Sequence, residues 1–489
     1  MNSLPLDLDA DKVSAFQQRV AECSIRQGDY AYYYSQTEID RALAFKFQEQ
    51  ANYCQLAFKL RQIMEGRSFF SDADRKALHH ALRNDSGCPT IRRESDFHRA
   101  ERLNCFDFAR KVRDGSIRSF DGRRFSSFAH IGLSGSSVSA HLIFDALDSV
   151  AKRSVSCSDV VFIDTADPDC VAGKLRGIDC GQTLFILDCR GDSDVLREID
   201  SIRSLVFAKM ASDFAESDEI KLRRNFAVVS SVDAAHDISG YAASFFFDDS
   251  ICERYSSLCV ASLLLNVIVF GDDVVSRILD GAKSMDNDSL NGNILENPAM
   301  FAALYGFFEN RKKEKNISLC VPFADELTLL PPLVQHIAMD GNCRNTDMRG
   351  EVVDLDSGQL CFGAEGGHAR RSFFSALHRG TFLFSLEMIG FRTKRKALDE
   401  MVAESVALFF GNRKRKFYGG RCSTMMVFDS LSAFSLGEII SYYENKMAFQ
   451  SFLYDVDCFA DDEPLVSAEM IADGRNDIDG LSAGIIGCY

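Results

Sequence analysis

Short, near-continuous apolar runs separated by longer amphipathic stretches constrain the fold of this chain more than any other feature. Phe128-Ala129-His130-Ile131-Gly132-Leu133, Val160-Val161-Phe162-Ile163, Leu184-Phe185-Ile186-Leu187 and Phe226-Ala227-Val228-Val229 follow one another in this way. Strands that are apolar on both faces belong to a parallel sheet covered by helices on both sides. The pattern pauses over the polar stretch 284–293 and resumes with Ile317–Val321, Leu360–Phe362 and Met425–Phe428. The spacing therefore predicts an α/β chain with two doubly wound parallel-sheet lobes. Before them, Asp40-Arg41-Ala42-Leu43-Ala44-Phe45 and Ala73-Asp74-Arg75-Lys76-Ala77-Leu78 carry helical periodicity. The expected division is a helical N-terminal segment over 1–105, lobes over 106–283 and 294–460, and a C-terminal tail over 461–489.

Composition narrows the function classes. The longest apolar stretch, Leu258 to Phe270, is interrupted by Ser262 and Asn266. It falls short of the roughly 20 residues that span a bilayer, so no membrane span is expected. The first residues lack a basic stretch followed by an apolar core, which makes the cytoplasm the expected compartment. The closest two of the 16 cysteines, Cys252 and Cys259, are seven apart, and no C-x-x-C occurs. Such thiols read as buried apolar fillers, and no metal or other cofactor is expected. A net charge of −16 argues against nucleic-acid or membrane partners. It leaves room for an anionic small substrate, because local cations and backbone N–H groups override the global sign.

In His130-Ile131-Gly132-Leu133-Ser134-Gly135-Ser136-Ser137-Val138 an apolar strand runs into small residues and then a helix. Backbone N–H groups at such a helix start can hold an anion. The same run also suits a tight turn with no ligand. The segment resembles the I-G-I-G-G-S-D-L-G-P loop of the phosphoglucose isomerase (glucose-6-phosphate isomerase) family, with Gly132, Gly135 and Ser136 retained. Five further stretches are similar to that family in the same order: Asp74 to Asn84, Phe247 to Ser256, Gln335 to Arg344, Phe362 to Thr381, and Ser435 to Glu444. Together they cover roughly residues 70 to 460. The resemblance implies sugar-isomerase (SIS-type) lobes and the interconversion of glucose 6-phosphate and fructose 6-phosphate through an enediol, a step of glycolysis and gluconeogenesis. It also implies a homodimer with sites built across the subunits.

Transferred residue by residue, the resemblance gives catalytic positions Asp340, Arg254 and Arg371 and substrate-binding positions Gly135, Ser136, Arg190, Ser193 and His336. Asp340 stands for the glutamate that moves a proton between C1 and C2, one methylene shorter. Arg254 retains the cation that stabilises the enediolate, beside Glu253 in place of a glycine. Arg371 stands where the family has its ring-opening histidine, and a guanidinium cannot accept a proton. His368, three residues earlier, is the candidate substitute, and His378 reads as structural. The phosphate loop becomes Asp188-Cys189-Arg190-Gly191-Asp192-Ser193-Asp194, in which Arg190 either meets a phosphate or pairs with Asp192 and Asp194. The catalytic lysine position holds Ala468, and Lys446 is the last lysine of the chain. Two expectations follow: an isomerase with a degraded site, or a catalytically inactive homologue that binds a sugar phosphate or a protein partner.

Overall fold

The computed structural model describes residues 10–67, 77–83, 88–191, 193–232, 239–248, 251–412 and 416–460. The N-terminal segment contributes β1 (Ser24–Gln27) and β2 (Tyr30–Tyr33) besides its helices. β3 (Ser127–Ile131), β4 (Asp159–Ile163), β5 (Thr183–Asp188), β6 (Phe226–Ser231) and β7 (Ala243–Phe247) form a parallel sheet in the order β4-β3-β5-β6-β7. β8 (Ile317–Pro322), β9 (Leu360–Gly363), β10 (Ser385–Phe391) and β11 (Thr424–Phe428) pair in parallel in a second sheet, ordered β1-β2-β11-β10-β8-β9. The two lobes expected from the apolar runs are thus present. The hairpin β1-β2 adds antiparallel to β11, so the N-terminal segment is stitched into the second sheet.

Strand composition follows position in the sheet. β3, β5, β10 and β11 are buried at every residue, as helices on both faces require. The edge strands β4, β7 and β9 are only partly buried. The helix Val260–Phe270 is buried throughout, so the apolar stretch noted in the sequence is a core helix; the window Glu253–Phe270 is 94% buried.

Between the lobes, the helices Asp272–Ser289 and Ala433–Tyr454 cross at close range. A Cβ on Gly281 would lie 1.9 Å from the Phe434 carbonyl oxygen, and one on Gly437 would lie 1.8 Å from that of Ile278. Glycine at both positions is what permits the approach. Arg83, in the N-terminal segment, is buried at this crossing. Its Nε and Nη2 donate to Asp286 at 2.7 and 2.8 Å and its Nη1 to Glu444 at 2.6 Å. Burial pushes Glu444 up to about 7; Asp286 is also buried, but the charges of Arg83 and His80 hold it at about 2.

Two outcomes are expected. Arg83→Leu leaves Asp286 and Glu444 buried without their cation and lowers unfolding free energy in urea by about 3–5 kcal/mol. Burial, followed by a hydrogen bond with Asp29, raises Glu438 to about 9 from 4.5. The folded chain therefore binds that proton more tightly than the unfolded one. The Glu438 contribution to stability is complete below about 4.5 and is lost as pH rises through about 9. Melting temperature across this window falls for the wild type and is flatter for Glu438→Gln.

Candidate active site

The chain reverses its direction of growth at β3, which has β4 on one side and β5 on the other. Ligands of doubly wound sheets bind beyond the strand ends at such a point. There Ser134 ends the loop after β3 and the helix Gly135–Asp148 begins. Ser134 gives that helix no side-chain cap. Its hydroxyl lies 2.7 Å from the Ser136 hydroxyl, which donates to Asp188 at 2.5 Å. The open N–H of Gly135 is taken by Glu253, whose Oε1 accepts it at 2.8 Å. A carboxylate at a helix N-terminus is favoured by the aligned peptide dipoles by about 0.3–1 kcal/mol, more when partly buried.

The phosphate-loop segment turns inward. The Arg190 guanidinium lies 4.5 Å from the centre of the Phe247 ring and donates to the Ile251 carbonyl. Asp188 is fully buried, and burial pushes it up to about 6; Ser136 and Arg190 pull it back, while Glu253 adds to the rise. Asp194 pairs with Arg197 rather than with Arg190. Asp192, Ala468 and the side chain of Ser193 lie outside the described residues. Ser193 itself opens the helix Ser193–Phe214.

The second lobe brings His336 and Asp340 to this helix start. Both belong to a π-helical turn, His336–Asp340, a wider turn that often marks functional positions. His336 Nδ1 and Asp340 Oδ2 are 2.9 Å apart. The opposite face of the imidazole abuts Gly135, since a Cβ there would lie 2.7 Å from Nε2. The His336 hydrogen bond holds the half-exposed Asp340 below the usual carboxylate range despite partial burial, with added pull from His336, Arg254 and Arg344 charges. Arg254 is buried, and both Arg254 and Arg344 donate to the Ala460 carbonyl.

Gly135, His336, Asp340 and Arg254 thus form one cluster, with Ser136 beside it and Arg190 folded beneath. Arg344 and Asp188 complete it and were not singled out from sequence. Arg344 stands at the lysine ending the family's M-E-S-N-G-K motif, which was the available signal. Asp188 carried none, because a strand-end aspartate reads as a turn residue. Arg371 and His368 are exposed on the helix Gly366–Ser372. His378 meets Glu404 at 3.1 Å and stacks on Phe417, which is a packing role. Chemically, the cluster offers an ionised carboxylate facing two guanidinium groups, suited to moving a proton beside a developing oxyanion. Its anion seat is occupied by Glu253.

The sequence model of the family "Phosphoglucose isomerase" matches residues 33–463. Glucose-6-phosphate isomerase of Borreliella afzelii (strain PKo) is 26% identical over 479 residues, covering 93% of this chain and 90% of that protein. The Treponema denticola enzyme of the same name is 27% identical over 465 residues, covering 90% and 86%. The crystal structure of a glucose-6-phosphate isomerase from Chlamydia trachomatis superposes with a TM-score of 0.82 at 23% identity, over 97% of this chain and 92% of that one.

Packing at the cluster is directly testable. Gly135→Ala forces His336 away and breaks its contact with Asp340, with an expected loss of about 1–3 kcal/mol in urea unfolding. The double variant Gly135→Ala/His336→Ala recovers part of that loss.

Proposed function

The chain belongs to the phosphoglucose isomerase family, and from that premise we propose that it is an aldose–ketose isomerase of hexose 6-phosphates with a degraded site. The observation that carries this reading is the Glu253 carboxylate on the Gly135 N–H at 2.8 Å. A substrate anion entering the helix start must displace a carboxylate already there, and Asp188 adds a second acidic group close by.

The proton-transfer half of the reaction keeps its parts. Asp340, ionised and oriented by His336, takes the proton from the carbon beside the carbonyl and returns it to the neighbouring carbon. Arg254 and Arg344 stabilise the enediolate that forms between these steps. Asp340 is one methylene shorter than glutamate, and misplacement of about 1 Å costs on the order of a hundredfold. Ring opening lacks its histidine, since a guanidinium stands at that position and offers no base. Loss of one acid–base partner removes about 10² to 10⁴ in rate.

The working form is a cytoplasmic homodimer in this reading. Arg371 and His368 are exposed on one protomer, as are the apolar side chains Val352, Leu355 and Phe382, which a partner subunit can cover. Arg190 Nε and Nη1, buried without a hydrogen-bond partner among the described residues and so open to an anion, favour a second reading, a catalytically inactive homologue that binds a sugar phosphate or a protein partner.

A coupled assay with glucose 6-phosphate or fructose 6-phosphate separates the two. The expected wild-type turnover is about 10² to 10⁴ below that of an active family member assayed in parallel. Asp340→Asn abolishes it, and Glu253→Gly tightens hexose phosphate binding. Turnover at the family's level overturns the degraded-site reading. Absence of turnover, with a rise in melting temperature on adding fructose 6-phosphate, replaces it with the second.

A further inference from the structure

A cleft of about 640 Å³ opens between the lobes near the other end of the Gly135–Asp148 helix. That helix is 14 residues long, which sets the cleft about 20 Å from the Glu253 contact. It is walled by the loop from Val150 to Ser154, the junction from Phe270 to Val274 with Arg277 one turn on, Arg113 at the end of the helix Arg92–Asp114, and Leu431 to Ala433 of the second lobe. The volume falls within the range of small-molecule sites.

The charge of this wall departs from that of the whole molecule. In a chain of net charge −16, the cleft presents Arg113, Lys152, Arg153 and Arg277 against Asp272 and Asp273. Asp272 is already compensated by Arg113 at 3.0 Å and Arg110 at 3.9 Å. Arg153 is committed to Asp148 through contacts of 2.6 and 2.9 Å. Lys152 and Arg277 are exposed and make no ion pair among the described residues. Among the described lining residues, Asp273 is the carboxylate without an ion pair that faces them.

Two helices also begin in the walls of the cleft. The 18-residue helix Asp272–Ser289 starts in the wall after Gly271, which has φ +95° and supplies no side-chain cap. The 22-residue helix Ala433–Tyr454 starts in the opposite wall. The second start is capped by Ser432, which accepts the Ser435 N–H at 3.1 Å, and the first carries Asp272 and Asp273 in its first turn, so the Lys152 and Arg277 side chains supply the main positive charge. Phe270, Val150 and Leu431 add apolar surface to the lining.

We propose that this cleft binds a small, multiply charged anion, a phosphorylated or polycarboxylate metabolite, at a site separate from the hexose phosphate position. Lys152 and Arg277 supply the charge, and the apolar lining takes the uncharged part of the ligand. Because the walls come from both lobes, occupancy also ties the lobes together.

The test is titration calorimetry of the full chain with pyrophosphate and, separately, with citrate, at matched ionic strength. At least one of the two is expected to bind saturably, one per chain, and to raise the melting temperature. Pyrophosphate alone marks a phosphorylated ligand, citrate alone a polycarboxylate, and both a general polyanion site. Lys152→Glu/Arg277→Glu, whose side chains are exposed and whose fold is checked by circular dichroism, weakens binding about tenfold or more. Absence of saturable heat from both probes overturns the proposal, as does binding that the double variant leaves unchanged. None of these readouts depends on isomerase turnover.

Discussion

Arg83 sits at the junction on which the two-lobed arrangement depends. A guanidinium buried between Asp286 and Glu444 holds together the N-terminal segment and the two helices that cross between the lobes. Such an ion pair adds little net stability over a well-packed apolar core, but removing one member leaves an uncompensated charge. The constraint is therefore one of specificity. The helices can approach only in the register where Gly281 and Gly437 face backbone and where Asp286 meets Arg83. Asn445 and Ser441 complete the hydrogen bonding of Asp286, at 3.0 and 2.6 Å. With this crossing set, the helix start at Gly135 and the π-helical turn at His336 are brought face to face.

The same electrostatic logic operates at the candidate site, with a different outcome. A helix start is a general anion seat, and this chain fills it with Glu253. Arg190 gives one donor to a carbonyl and its face to Phe247, and its Nε and Nη1 have no hydrogen-bond partner among the described residues. Asp340, by contrast, remains ionised and faces two guanidinium groups. The helix start is thus filled internally, while Arg190 Nε and Nη1, Asp188 Oδ1 and His336 Nε2 stay buried without a hydrogen-bond partner among the described residues.

The central strands were legible because burial on both faces imposes uninterrupted apolar residues, as in Leu184 to Leu187. β10 was not, although it is buried throughout, because Glu387 and Gly390 interrupt its apolar run. Glu387 is tolerated there only through contacts with Tyr442 at 2.7 Å and Lys446 at 3.1 Å. These partners lie more than fifty residues away, beyond the reach of local pattern. β1 and β2 were missed for a related reason: four-residue strands acquire their identity from pairing, β1 with β2 and β2 with β11.

What the sequence by itself determined is the α/β alternation, the family, and the residue types at Asp340, Arg254 and Arg371, since these are matters of local pattern and collinear motifs. Only the tertiary structure decided what those residues touch. Glu253, which in sequence only replaces a glycine beside Arg254, has its carboxylate on the Gly135 N–H, more than a hundred residues away. His336, a substrate-binding position by resemblance, lies with Nδ1 2.9 Å from Asp340 and its other edge against Gly135. Charge partners are chosen by distance in space and by burial, and neither is written in the order of residues along the chain.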